Sequence, residues 1–213
     1  MEKALRAQGH ETVSLDICPR HTPELCMNIL DFDETRYPCD HFDFIWASPC
    51  CTAYSKARSK AKIPRDVAMA ASDKLVVKTR QIIAHFRDAL WVVENPATSL
   101  IWMREAAKGL SAESVVTSYC CYGTPYRKDT RLANNFGLVL PRCPGAGACP
   151  SMLGSWHAEW SQLGCGGAVP RVKTRDELYA IPGPLVEEIA RQLHTALARR
   201  AADAPSVSGS LGP

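Results

Sequence analysis

Residues 42–55 read Phe42-Asp43-Phe44-Ile45-Trp46-Ala47-Ser48-Pro49-Cys50-Cys51-Thr52-Ala53-Tyr54-Ser55. The first six are a short, apolar, aromatic run with the composition of a strand. The run stops at Ser48-Pro49, where proline removes a ladder donor. After a basic loop, residues 66–88 carry Val67, Ala70, Ala71, Leu75, Val76, Ile82, Ile83 and Phe86 at mostly helical spacing. That periodicity predicts one long helix. Residues 89–94, Ala-Leu-Trp-Val-Val-Glu, form the next strand-like run.

Working outward, residues 12–17 read as a strand ending near Asp16, and residues 114–119 as a further strand. Strands alternating with helices predict an α/β fold with a mostly parallel sheet and helices on both faces. Such sheets bind ligands beyond the carboxyl ends of their strands. Residues 141–170 are rich in Gly, Pro, Cys and Trp and have little periodicity, so they need something other than a core to hold them. A helix resumes over 182–200, with Leu185, Val186, Ile189, Leu193 and Leu197 on one face. The expected organisation is a core over 1–140, a Cys/His-rich insert over 141–170, a segment returning to the core over 171–200, and a frayed tail over 201–213.

Composition narrows the function classes. The chain has 213 residues, 46% hydrophobic and 22% charged, which excludes a wholly disordered or fibrous protein. No apolar run nears the roughly 20 residues that span a bilayer. The first residues lack the apolar stretch of a secretion signal. An intracellular protein, in cytoplasm or nucleus and without a membrane partner, is expected. The net charge of +3 is too small to argue for nucleic acid, so any basic surface must come from clustering. Ten cysteines, including the adjacent pairs Cys50-Cys51 and Cys120-Cys121, fit reduced thiols with chemical or metal roles better than a disulfide framework.

Three strand ends carry chemistry. Asp16 is placed to hold the hydroxyls of a nucleotide-like cofactor. Cys50 and Cys51 follow a strand at the ligand edge, where nearby helix N-termini would favour a thiolate nucleophile. Lys56, Arg58, Lys60, Lys62 and Arg65 follow, a run that fits phosphates if the cysteine is a nucleophile and plain solvent if it is not. Glu94-Asn95-Pro96 closes the next strand with a carboxylate that burial would turn into a proton donor.

Together these elements resemble the cytosine-C5 DNA methyltransferases, and among them the short, phage-type members. Cys51 takes the position of the family's catalytic cysteine, and Cys50 stands where the family has a second proline. Glu94 and Asn95 match its Glu-Asn motif. Tyr122-Gly123-Thr124-Pro125-Tyr126-Arg127-Lys128 is similar to its basic motif, and Ile181-Pro182-Gly183-Pro184-Leu185-Val186 to its last motif. The resemblance covers about residues 4–136 and 176–193. It implies a Rossmann-like sheet, S-adenosylmethionine as cofactor, and DNA bearing a flipped cytosine as substrate. It assigns Cys51 as nucleophile and Glu94 as the partner of the base. Asp16, Ile17, Asn28, Ile29 and Pro49 are implied for the cofactor, with Asn28 standing where the family has an acid. Ser55, Lys56, Arg58, Asn95, Arg127 and Lys128 are implied for the substrate, Arg131 less strongly. The family's opening strand and Gly-rich loop have no counterpart before residues 1–10, which read as the helix following that loop. About 45 residues separate Arg131 from Asp176, which predicts a short or relaxed sequence preference. Two alternatives share these residues: cytosine-C5 methylation of RNA, and a non-catalytic nucleic-acid-binding relative.

The insert offers Cys143-x5-Cys149-x7-His157-x7-Cys165, a Cys3His set for one structural zinc ion. Cys120 or Cys121 is an alternative fourth ligand to Cys165. Free thiols in a loop are the competing reading.

Overall fold

The computed structural model describes residues 1–56, 62–110, 113–161 and 174–203. Its strands are β1 (Leu15–Asp16), β2 (Leu25–Cys26), β3 (Phe44–Ala47), β4 (Leu90–Pro96), β5 (Ser114–Ser118), β6 (Asp129–Asn134), β7 (Met152–Leu153) and β8 (Trp156–His157). Its α-helices are α1 (Glu2–Ala7), α2 (Arg65–His85), α3 (Arg175–Tyr179) and α4 (Gly183–Asp203).

The strand–helix–strand unit forms as its pattern predicts. β3 and β4 pair in parallel, Phe44 beside Leu90 and Ala47 beside Val93, and α2 connects them. The rest of the main sheet corrects the expectation. Its order is β3-β4-β6-β5, and both pairs made by β6 are antiparallel, so the sheet is mixed rather than mostly parallel. The reason lies in residues 119–128. A parallel return needs a crossover of a dozen or more residues. This connection holds only a 3₁₀ turn, Tyr119–Tyr122, closed by Gly123 at φ 83°, a left-handed conformation that glycine adopts without strain. The chain must therefore fold straight back. β6 escaped the sequence reading because Leu132 and Ala133 are its only apolar residues.

Both faces of this sheet are covered. Val92 and Leu132 point to one face and pack with Leu185 and Ile189 of α4. Their neighbours Val93 and Ala133 point to the other and pack with Val76 of α2, Tyr54 and Ile101. The alternation follows from the two-residue period of a strand. Leu5 of α1 packs with Ala190 and Leu193 of α4 and with Leu90. α4 runs three residues past the expected end at 200; residues 204–213 of the expected tail lie outside the described residues.

β1 and β2 form a separate two-stranded parallel sheet. β1 is shorter than the expected 12–17, because a ladder extends only as far as its partner and β2 has two residues. Among the described residues, β1 and β3 are each paired on one side only, and a cleft separates them. No described helix is long and apolar enough to cross a membrane.

Candidate functional site

Two cavities meet at the carboxyl end of β3. One, of about 530 Å³, lies beyond β3 and β4 and is lined by Cys51, Ser55, Glu94, Asn95 and Lys128, among others. The other, of about 450 Å³, is the cleft between β1 and β3; Asp16, Ile17, Asn28 and Ile29 line it. Ser48, Pro49 and Cys50 border both.

The loop bearing Cys51 is held from several sides. The Asn95 side-chain amide donates to the Pro49 carbonyl at 2.7 Å. The Tyr54 N–H closes a turn on the Cys51 carbonyl at 3.1 Å, and the Leu100 N–H donates to the Tyr54 carbonyl at 3.1 Å. Tyr54 is fully buried and its hydroxyl donates to Asp73 of α2 at 2.8 Å. Arg104 grips the same carboxylate with two nitrogens, at 3.1 Å and 2.5 Å. Sequence reasoning missed Asp73 and Arg104, which lie 22 and 53 residues beyond Cys51 and belong to no local pattern.

Inside the cavity, burial and charge work against each other. Burial pushes the Glu94 carboxyl above its usual range, while the Lys128 ammonium and a hydrogen bond from Ser48 pull it down. Burial also raises the Cys51 thiol, with added repulsion from Cys50 and Glu94; Lys128 opposes this. Lys128 is lowered by its own burial and supported by Glu94 and Cys51. Its Nζ donates to the Leu178 carbonyl at 2.7 Å and lies 4.7 Å from the centre of the Tyr119 ring. The site thus sets a carboxyl raised by burial, a thiol and a half-buried cation around one cavity, groups that suit addition to an electrophilic ring carbon.

In the cleft, Asp16 accepts the Cys18 N–H at 2.7 Å and Asn28 accepts the Leu30 N–H at 3.0 Å. Each keeps acceptor capacity. With Ile17, Ile29 and Phe32 as apolar walls, the acceptors and volume fit a nucleoside: an acid for hydroxyls, an amide oxygen for a ring amine, and flat apolar surface for the ring.

The remaining expected residues are dispersed. Lys56 is exposed, borders neither cavity, and lends its carbonyl to Arg65. Arg58 and Lys60 lie outside the described residues. Arg127 turns away from the cavity and binds Asp129 with two nitrogens, at 2.8 Å and 2.6 Å. Arg131 lies over the Trp102 ring. Leu178, Tyr179 and Ile181 reach the cavity from the C-terminal segment, and only Ile181 fell within a quoted motif.

A second constellation sits at the end of β5. Cys120, Cys143, Cys149 and His157 bring their ligand atoms within 4.8 Å of one another. Cys165 lies outside the described residues.

No protein-family model matches the chain. Over 199 residues it is 28% identical to a protein of Frog virus 3 (isolate Goorha) described as "Probable DNA (cytosine-5)-methyltransferase", a match covering 85% of this chain and 89% of that one. Among solved structures, the Entamoeba histolytica methyltransferase EhMeth aligns at 14% identity and a TM-score of 0.44. That alignment covers 61% of this chain and 47% of that chain, so it spans under half of the amoebal protein. The chain is similar along most of its length to a methyltransferase of the kind its motifs resemble.

Proposed function

We propose that this methyltransferase-like chain transfers a methyl group from S-adenosylmethionine to C5 of cytosine in DNA, through a covalent adduct with Cys51. The observation that carries this reading is the meeting of the two cavities at Ser48–Pro49–Cys50. A nucleoside cofactor held by Asp16, Ile17, Asn28 and Ile29, with Pro49 at the border, would present its reactive end to a base held against Cys51 and Glu94. S-adenosylmethionine, when bound there, supplies an electrophilic methyl group for C5.

The residues of the chain prepare the base. Cytosine C5 is a weak nucleophile. When the Cys51 thiolate adds to C6, the C5–C6 π electrons move to C5 and make it nucleophilic. Those electrons form the new C5–methyl bond; when C5 then loses its proton to a base or water, the C5–H bond pair reforms the double bond and expels the thiolate from C6. Glu94 suits the ring because burial raises its pKa: on taking up a proton as the base binds, the carboxyl donates to N3 and accepts from the exocyclic amine. Lys128 favours the thiolate. Asn95 sets the loop through Pro49. The base must leave its stack to enter, at a cost of roughly a few kcal/mol. The cations Lys56, Arg58, Lys60, Lys62 and Arg65 would attract the phosphate backbone.

The test is methyl transfer from labelled cofactor to matched DNA and RNA, read by nucleoside mass spectrometry. The account expects 5-methyldeoxycytidine from DNA, and none from Cys51→Ser. Methylation at the exocyclic amine, or of RNA alone, would overturn it.

A further inference from the structure

Cys120, Cys143, Cys149 and His157 come from three separate places: the turn after β5, the loop before β7, and β8. Their ligand atoms nevertheless converge within 4.8 Å of one another, and they are the group among the described residues that could hold a metal. The spacing is informative. His157 Nε2 lies 3.5 Å from Cys143 Sγ and 3.6 Å from Cys149 Sγ. Bonds of about 2.3 Å to sulfur and 2.05 Å to nitrogen, opened to a tetrahedral angle, place S and N about 3.6 Å apart. Three thiolates and an imidazole are a soft set that selects zinc over calcium or magnesium.

From this geometry we propose that the chain binds one structural Zn²⁺ through Cys120, Cys143, Cys149 and His157. Three thiolates and a divalent ion leave a net charge of −1. The ion also has a mechanical role. It ties residues 143–157, which have little core, to Cys120 at the start of the loop that carries Lys128. Other bonds run the same way: Cys143 N–H to Ser118 Oγ at 3.0 Å, and Glu159 N–H to the Pro125 carbonyl at 2.9 Å. The loop over the Cys51 cavity is therefore braced by the metal from behind. Among the described residues, Cys120 completes the set. The binding of zinc rests on these four residues alone and stands whether or not the chain methylates cytosine.

The experiment uses the full chain, purified without chelator, with metal content by mass spectrometry and cobalt exchange by absorption. The expected result is about one zinc per chain. Cobalt should give an intense tetrahedral spectrum with sulfur-to-cobalt charge transfer. Cys120→Ser and His157→Ala should cut zinc to below about 0.1 per chain, whereas Cys121→Ser and Cys165→Ser should retain it. If Cys120→Ser does not fold, the cobalt spectrum of the unsubstituted chain decides between three sulfur ligands and none. A metal-free chain with a weak octahedral cobalt spectrum would overturn the proposal. So would a disulfide among Cys120, Cys143 and Cys149, or loss of metal in Cys165→Ser with retention in Cys120→Ser.

Discussion

The Asn95 side-chain amide donates to the Pro49 carbonyl at 2.7 Å, tying the end of β4 to the loop that carries Cys51. Asn95 is 1% exposed, and its Oδ1 is buried without a hydrogen-bond partner among the described residues. One side chain thereby spends its donor on the loop and keeps its acceptor at the cavity wall. Asn95→Ala removes the tie and leaves the Pro49 carbonyl unpaired, which costs about 1–3 kcal/mol. Asn95→Asp cannot restore the tie when ionised, because a carboxylate only accepts. Both variants should slow adduct formation on DNA by about tenfold or more, since misplacing a reacting group by an ångström costs more than that. Thermal unfolding of the same samples separates loss of the tie from loss of the fold.

The electrostatics of the cavity predict opposite effects from two neighbours of Cys51. Glu94 raises the Cys51 pKa and Lys128 lowers it. Glu94→Gln removes negative charge, stabilises the thiolate and should speed alkylation of Cys51 by iodoacetamide at pH 8. Lys128→Met removes positive charge and should slow it. Each change should be a few-fold, since one pKa unit is a factor of ten in thiolate. The expected order of rates is Glu94→Gln, then the unsubstituted chain, then Lys128→Met, read by peptide mass spectrometry at Cys51.

The half-buried ion pair behind the loop has its own signature. The hydrogen bonds from Arg104 and Tyr54 hold Asp73 below the usual carboxylate range. A depressed carboxylate contributes stability above its unfolded pKa, and that contribution is lost as pH falls through the folded value. Tyr54→Phe removes one hydrogen bond to a charged group, about 1.5–3 kcal/mol. Asp73→Asn should cost more, because it also unpairs Arg104. Urea unfolding should show a clear gap between Asp73→Asn and the unsubstituted chain at pH 7. The gap should narrow as pH falls below 3.8, the ordinary aspartate value.

How much of this was legible depended on how local the signal was. β3, α2 and β4 stand within four residues of their expected bounds, because each is a single periodic or apolar run. β6 was not legible: a strand flanked on both sides takes its stability from the ladders, and its own residues, Asp129 to Asn134, are mostly polar. The mixed sheet follows from that missed strand. Cys51, Glu94 and Lys128 were named from motifs, and the structure sets them around one cavity. Arg127, adjacent to Lys128, points to Asp129 instead, since neighbouring residues in extended chain face opposite ways. Spacing put Cys165 as the fourth ligand to the metal cluster, with Cys120 or Cys121 as its alternative, and Cys165 lies outside the described residues. The approach of Cys120 to Cys143, Cys149 and His157 depends on the hairpin that folds the end of β5 against the insert, which no local pattern encodes.

The central claim is that Cys51 makes the covalent bond to cytosine. Trapping on DNA containing 5-fluorocytosine tests it most directly, because fluorine at C5 cannot leave as a proton and the adduct persists. With S-adenosylmethionine present, the account predicts a stable protein–DNA species whose modified peptide carries the base on Cys51. It should vanish in Cys51→Ser and persist in Cys50→Ser. An adduct that survives Cys51→Ser, or its absence from a folded chain that binds both cofactor and DNA, would contradict the account.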